Sequence, residues 1–166
     1  MNEEFNDIIN SLINNEKVKE MKNYRQHCNT SCYDHSYSVA YLTYKISKKL
    51  NLDYVSATRG AMLHDLFLYD WRKSKRFNFH AFKHGKIAYL NAKKEFDLND
   101  IESDMIIKHM WPITIKPPKY KEGFVLTIAD KVCATKEILN SLVVFLNDNP
   151  VVRYAYLFYV FIFKNF

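Results

Sequence analysis

The sequence predicts an all-α protein, a compact bundle of about six to eight helices in one domain. Three observations support this class. Apolar residues recur mostly at the three- and four-residue spacing of helices. The 166 residues include only 3 Gly and 4 Pro, too few for the many turns of a β-sandwich or barrel. The hydrophobic fraction of 48% supplies enough material for one core.

The N-terminal part of the chain begins with a helical pattern. Five apolar residues share one helix face: Phe5, Ile8, Ile9, Leu12 and Ile13. We expect residues 1–22 to form this N-terminal helix and residues 23–33 to form a polar loop. The next helix is expected over residues 34–50. Asp53 is a suitable N-cap for a third helix, which should end near Leu66.

The middle of the chain alternates helical patterns with breaks. Residues 70–79 carry several basic side chains and predict an exposed connection, followed by a helix over residues 80–96. Asn99 followed by Glu102 resembles a capping box, so another helix should begin there. This helix should stop before Pro112, because a residue that precedes proline disfavours helical geometry.

The C-terminal part combines a long helix with an apolar tail. The Pro117–Pro118 pair predicts an extended link, after which a long helix is expected over residues 119–146. Residues 151–166 are apolar nearly all round but short for a membrane span, so no span is expected. We expect residues 142–166 to form a helix that packs on the domain or on the second subunit of a homodimer. Attachment to a membrane surface is the alternative.

Charge and cysteine content restrict the function classes. The net charge of +6 favours anionic ligands. It also permits a nucleic-acid binder, but the chain lacks an aromatic-basic motif and a paired-helix pattern, so no nucleic-acid partner is expected. The odd set Cys28, Cys32 and Cys133 predicts reduced thiols in a cytoplasmic protein. Cys28 and Cys32 are alternatively half of a metal site.

Histidine and aspartate residues stand at positions that need an explanation. His35 opens a predicted helix, the pair His64–Asp65 closes one, and Asp130 interrupts an apolar helical stretch. An unpaired carboxylate on such a face is costly, so Asp130 needs a partner. A metal ion is one possible partner, and a basic residue such as Arg59 or Lys131 is another. Nitrogen and oxygen ligands together suit Fe, Mn, Zn, Ni or Co.

These residues, in this order, resemble the HD domain superfamily of metal-dependent phosphohydrolases. The segments YDHSYSVA, RGAMLHDLFLYDW and LTIADKVCAT are similar to its motif blocks, and the likeness covers residues 23–141. The resemblance implies an HD-domain bundle with a site for one or two divalent ions between its central helices. The implied ligands of the first ion are His35, His64, Asp65 and Asp130.

For a second ion, the resemblance implies His84 and His109 as ligands, with Asp65 bridging both ions. His80 is the alternative to His84. Some two-metal relatives have His-His or His-Thr where this chain has His109–Met110. This departure leaves the occupancy of the second site open.

The resemblance implies hydrolysis of a nucleotide-like phosphate mono- or diester by a metal-activated water. Asp65, Asp70 and Lys131 are the candidate catalytic residues. Asp70 would orient the water or protonate the leaving oxygen, and Lys131 would contact phosphate. The basic stretch 72–76 would steer an anionic substrate, and Tyr69 and Trp71 would stack on a base. The alternative is a regulatory module of the same fold that binds metal and nucleotide without hydrolysis.

Overall fold

The computed structural model describes residues 2–72 and 80–164. In these stretches it contains eight α-helices, one short 3-10 turn and no strand, so the all-α prediction is confirmed. The helices are α1 (Glu3–Ile13), α2 (Glu16–Glu20), α3 (Cys32–Lys49), α4 (Tyr54–Leu63), α5 (His80–Glu95), α6 (Asp100–Lys108), α7 (Lys121–Asp148) and α8 (Pro150–Lys164), with the 3-10 turn at Met21–Asn23. Helices α3, α4, α6 and α7 pack on one another around the centre of the bundle.

The N-terminal segment forms two helices and the 3-10 turn rather than one helix. The break occurs at Asn15, whose side chain accepts hydrogen bonds from the backbone amides of Lys17 and Val18 and so starts α2. Helix α1 packs on α4 through its apolar face. The buried residues of that face are Phe5, Ile9 and Leu12.

Helix α3 begins at Cys32, two residues before the predicted start. Ser31 is its cap, because the Ser31 side chain accepts a hydrogen bond from the backbone amide of Asp34 at 3.1 Å. An isolated antiparallel bridge between Arg25 and Ser31 closes the preceding loop. Helix α3 packs against both α4 and α7, and this packing buries His35.

Helix α4 is buried along almost all of its length. It begins at the predicted cap, where the Asp53 side chain accepts a hydrogen bond from the Ser56 amide at 3.0 Å. It ends at Leu63, three residues before the predicted end. The ring of His64 hydrogen-bonds the carbonyl of Ala61, an acceptor that a continuing helix would use for its own backbone.

Helix α6 begins with the predicted capping box. The Asn99 side chain accepts from the Glu102 amide, and the Glu102 side chain accepts from the Asn99 amide. Glu102 also pairs with Arg59 at an N–O distance of 2.5 Å, which ties α4 to α6. Helix α6 ends at Lys108, before Pro112 as predicted.

The end of α7 and all of α8 form what we call the C-terminal arm, residues 138–164. Helix α7 is buried on one side as far as Cys133, but most of the large apolar side chains beyond it are exposed. The exposed set includes Leu139, Leu142, Val143 and Phe145 on α7, and Val151, Tyr154, Phe158 and Phe161 on α8. Among the helices of the described residues, none has both the length and the apolar character to cross a bilayer.

Candidate metal centre

His35 of α3 and Asp130 of α7 meet in the interior of the bundle. The His35 Nε2 atom lies 3.0 Å from Asp130 Oδ1, and the other ring nitrogen, Nδ1, lies 3.0 Å from Glu137 Oε1. The His35 side chain is fully buried, and that of Asp130 is 14% exposed. Two residues that are 95 positions apart are thus neighbours, as the predicted metal site requires.

His64 and Asp65 lie where α4 ends. The His64 Nδ1–H group donates to the Ala61 carbonyl at 2.7 Å, which turns Nε2 towards the centre. That Nε2 atom lies 3.3 Å from Asp65 Oδ2 and 3.8 Å from Asp130 Oδ1. Adjacent residues within a helix point about 100° apart. Because the helix ends here, both side chains can face the same point.

His84 of α5 and His109, at the end of α6, form the other side of the centre. His109 repeats the arrangement of His64, because its Nδ1–H group donates to the Ile106 carbonyl at 2.8 Å. The Nε2 atoms of His84 and His109 lie 2.7 Å apart. They are 3.3 and 3.6 Å, respectively, from Asp65 Oδ1.

Gly85 lets α5 approach α6 closely enough for this pairing. A Cβ atom at this position would lie 2.9 Å from the Ile106 carbonyl oxygen and 3.0 Å from that of Ile107. Any other residue would therefore push the two helices apart. The missing side chain is what places His84 beside His109.

The Asp65 carboxylate joins the two sides of the centre. Its Oδ2 atom faces His64, and its Oδ1 atom faces His84 and His109. Two groups of three residues at the centre each have their possible ligand atoms within 4.8 Å of one another. One group is His35, His64 and Asp130, and the other is His64, Asp65 and His109. One carboxylate oxygen turned towards each side is the arrangement expected of a bridging ligand.

Two buried atoms of this centre, His64 Nε2 and Asp65 Oδ1, lack a hydrogen bond within the described part of the chain. Burying such an atom without a hydrogen bond costs about 1–3 kcal/mol. A cation would satisfy both atoms. Imidazole nitrogens and carboxylate oxygens fit a divalent transition metal such as Fe, Mn, Ni, Co or Zn. The structure thus brings together all six predicted ligands.

Charge at the centre differs between its two sides. Burial opposes a charge on His35, but hydrogen bonds to Asp130 and Glu137 outweigh burial and raise the pKa of His35 to about 10. Burial and the neighbouring imidazoles lower the pKa of His109 to about 3. His109 is therefore a neutral imidazole at neutral pH, the form that binds metals. His35, in contrast, lies between two carboxylates, and these favour its protonated, positively charged form.

Gln26 contacts the centre without having been predicted as part of it. Its Nε2 group donates to Asp65 Oδ2 in a short hydrogen bond. The Cys32 thiol lies 3.6 Å from Gln26 Oε1 and 3.3 Å from the Asp65 carbonyl oxygen. Burial, reinforced by the Asp65 charge, raises the pKa of Cys32 well above its usual value, so the thiol stays a donor. No local pattern in the polar loop before α3 marks Gln26.

Glu137 was also missed, although the sequence carries a signal for it. It lies seven residues after Asp130 on the same helix, and that spacing puts both residues on one face. Its two carboxylate oxygens lie 3.0 and 3.2 Å from His35 Nδ1. Each nitrogen of His35 therefore faces one carboxylate of α7.

A cavity of about 380 Å³ opens beside the centre. Four of the predicted ligands line it: Asp65, His84, His109 and Asp130. Apolar and aromatic side chains line it as well, and these include Trp71, Met110, Ile113 and Ala134. The Trp71 ring is held in place, because its Nε1–H group donates to the Arg25 carbonyl at 3.2 Å.

Lys131 lines the same cavity, as expected of a residue that contacts substrate. Its Nζ group donates to the carbonyl oxygen of Trp111 at 3.1 Å and to that of Thr127 at 3.4 Å. The partners of Asp130 at the centre are His35 and His64 rather than Lys131. The amine therefore joins α7 to the loop after α6 at the edge of the cavity.

Asp70 occupies a different place. Its Oδ1 atom accepts a hydrogen bond from the Arg72 amide at 3.1 Å, and Asp70 is not among the described residues that line the cavity. The side chain of the alternative ligand His80 lies outside the described residues. The same holds for residues 73–79, which contain most of the basic stretch.

Comparison with protein-family models matches residues 32–135 to the HD domain. The match covers more than half of the chain and contains all six predicted ligands. Comparisons with curated proteins and with solved structures find no match. The family match and the convergence of His35, His64–Asp65 and Asp130 agree, and the chain belongs to the HD domain superfamily of metal-dependent phosphohydrolases.

Proposed function

We propose that this protein hydrolyses a nucleotide-like phosphate mono- or diester in a metal-dependent reaction. One observation carries the proposal: the Asp65 carboxylate turns one oxygen towards His64 and the other towards His84 and His109. A carboxylate shared by two metal sites is typical of enzymes that cleave phosphate esters. The HD domain match supports the same reaction class.

The roles of the ligands follow from their positions. We propose His35, His64, Asp65 and Asp130 for the first ion, and Asp65, His84 and His109 for the second. Divalent ions, when bound, supply Lewis acidity towards the phosphoryl oxygens and lower the pKa of water. The chain prepares the ligands: backbone carbonyls orient His64 and His109, and Gln26 holds Asp65.

The cavity supports a substrate with a flat organic part. Trp71 lies on its lining, and the guanidinium of Arg72 lies 4.7 Å from the centre of the Trp71 ring. Met110 and Ile113 add apolar lining. We propose that a base or a similar ring packs against these side chains, while the phosphate faces the ligands.

Lys131 and Asp70 have different proposed roles. An ammonium group has three donors, and two of those of Lys131 contact carbonyl groups. The third is proposed to contact a phosphate oxygen of the substrate. Asp70 is proposed to act through the turn that it caps, which carries Trp71 and Arg72, because it does not line the cavity.

The test combines metal analysis with activity. Protein purified without chelator is loaded with Mn²⁺, Fe²⁺, Co²⁺ or Ni²⁺ and assayed on phosphate monoesters, diesters and nucleotides. Turnover on at least one class is expected. Asp65→Ala should abolish both metal content and turnover, whereas Asp7→Ala, an exposed aspartate, should keep both. Metal-loaded protein that turns over none of these substrates would contradict the proposed reaction.

A regulatory module without hydrolytic activity is the second candidate. The observation that favours it is Met110, which follows His109 and lines the cavity with an apolar side chain. Calorimetry with nucleotides distinguishes the two candidates. Saturable binding with no product favours the module, and product formation excludes it.

We also propose that the C-terminal arm packs on a second copy of the chain. Its large apolar side chains are exposed, and a contiguous apolar surface usually marks an interaction site. Light scattering over a range of concentrations tests this proposal. A dimer is expected, and a monomer at every concentration would contradict it.

A further inference from the structure

Glu137 contacts the predicted ligand set from outside it. Its carboxylate oxygens lie 3.0 and 3.2 Å from His35 Nδ1, and its side chain is only 12% exposed. The contact joins residues 102 positions apart. A carboxylate with so little exposure needs a partner, and His35 is one.

The position of His35 explains why it needs an acceptor from another helix. His64 and His109 stand at the ends of α4 and α6, where the last carbonyls of a helix are free to accept hydrogen bonds. His35 lies in the first turn of α3, where the free backbone groups are N–H donors. A carbonyl of its own helix is therefore not at hand for Nδ1.

The Glu137 contact decides which nitrogen of His35 faces the centre. Both ring nitrogens lie beside a carboxylate: Nδ1 donates to Glu137, and Nε2 lies 3.0 Å from Asp130. An ion held by Asp130 would take the place of a proton on Nε2, while the Nδ1–H group would keep its hydrogen bond to Glu137. His27, His35 and Glu137 also form a set of atoms within 4.8 Å. In that set Glu137 lies beside Nδ1 of His35, whereas the nitrogen that faces Asp130 is Nε2.

We propose that Glu137 is a positioning residue of the metal centre: it holds the His35 ring so that Nε2 is the nitrogen offered to the first ion. This inference rests on the metal site of the proposed function but not on hydrolysis. Carboxylates that orient a metal-binding histidine typically contribute about 10- to 100-fold in metal affinity.

The test measures Mn²⁺ binding by calorimetry without substrate in Glu137→Ala and Glu137→Gln. The control is Glu16→Gln, an exposed glutamate that pairs only with Lys19 at the surface among the described contacts. We expect Glu137→Ala to bind Mn²⁺ about 10- to 100-fold more weakly. Glu137→Gln keeps an acceptor oxygen and should lose less Mn²⁺ affinity than Glu137→Ala. The number of ions bound at saturation and the control should match the wild type.

Several outcomes would overturn the inference. Mn²⁺ affinities of both Glu137 variants within twofold of the wild type would show that Glu137 does not position His35. Loss of a whole ion at saturation in Glu137→Gln would show that Glu137 is itself a ligand. A fall in the melting temperature of the metal-free protein without weaker Mn²⁺ binding would show a purely structural role. If Glu137→Ala does not fold, the Gln variant decides by the same criteria. Failure of hydrolysis with normal Mn²⁺ binding would contradict only the proposed function.

Discussion

The metal centre and the C-terminal arm depart from ordinary protein architecture in opposite ways. At the centre, His35, His64 and Asp65 are polar groups buried almost completely. In the arm, apolar side chains such as Phe158 and Phe161 remain 66% and 68% exposed. Buried polar groups and exposed apolar patches are the informative exceptions in a protein. Each region calls for a partner from outside the described chain.

The two regions differ in how closely they define that partner. At the centre, helices α3 to α7 bring ligand atoms of known type to within a few ångströms, and the group that fits such an arrangement is a small cation. The arm exposes apolar side chains on both α7 and α8, and these define the apolar character of its partner but not its identity. A defined arrangement of polar groups therefore predicts the chemical class of the ligand, whereas an exposed apolar patch predicts only that some apolar surface packs on it.

The largest effect is expected from metal binding, which should stabilise the folded protein. Saturating Mn²⁺ at a free concentration of 1,000 times its Kd should raise the free energy of unfolding by about 4 kcal/mol, because the ion binds only the folded protein. Chemical denaturation with Mn²⁺ and with a chelator measures this difference. Asp65→Ala should remove it. Equal stability with metal and with chelator would show that the buried groups do not form an ion site.

A substitution at Gly85 tests the packing that builds the centre. Gly85→Ala should lower the free energy of unfolding by about 1–3 kcal/mol, because the new Cβ would lie too close to the carbonyls of Ile106 and Ile107. It should also weaken metal binding at the His84–His109 side. Denaturation and Mn²⁺ titration measure both effects, and Lys86→Ala, exposed on the same helix, is the control. Unchanged stability would mean that α5 and α6 are not in close contact.

A polar substitution in the arm should change dimer formation and leave the stability of the monomer almost unchanged, whereas Gly85→Ala should lower the stability of the chain itself. Val151 is 81% exposed, so Val151→Ser should change the unfolding free energy of the monomer by less than about 0.5 kcal/mol. It should, however, reduce the dimer fraction in light scattering. A large loss of stability that does not depend on concentration would show that the arm packs on its own domain.

The smallest effect is expected at a solvent-exposed ionic contact, which serves as a reference for the buried centre. Hydrogen bonds from Lys48, then Tyr44 and Tyr54, lower the pKa of Glu4 from 4.5 to about 2. A lowered pKa contributes stability above pH 4.5 that is lost as the pH falls towards 2. Glu4→Gln should therefore destabilise the protein slightly at pH 6 and not at pH 2, and salt should weaken the effect. Denaturation at both pH values measures it. A difference that persists at pH 2 would exclude the charge as its cause.

Local rules explain how much of the fold was predictable. Asp53 and Asn99 cap their helices by hydrogen bonds to residues three positions away, so sequence alone identifies them. Two boundaries differed because a side chain intervened: Ser31 starts α3 early, and His64 ends α4 early. The division of the chain at residues 22 and 141 stays a prediction.

The candidate site was predictable where polar residues interrupt apolar helices. Asp130 stood out in this way, and family resemblance supplied its companions. Gln26 could not be predicted, because its partner Asp65 lies 39 positions away and the loop before α3 has no pattern of its own. Asp70 was proposed for its distance from Asp65 along the chain, but the turn directs its carboxylate to the Arg72 amide. Sequence distance does not give that direction.

Helix α7 connects the two regions as one uninterrupted rod from Lys121 to Asp148. At 1.5 Å per residue, about 27 Å separate Asp130 from the far end of the helix. A rod of this length acts as a lever, and a tilt of about 4° around Asp130 would move that end by about 2 Å. A partner that tilts the arm would therefore change the direction of the helix backbone that carries Asp130, the residue whose carboxylate faces His35.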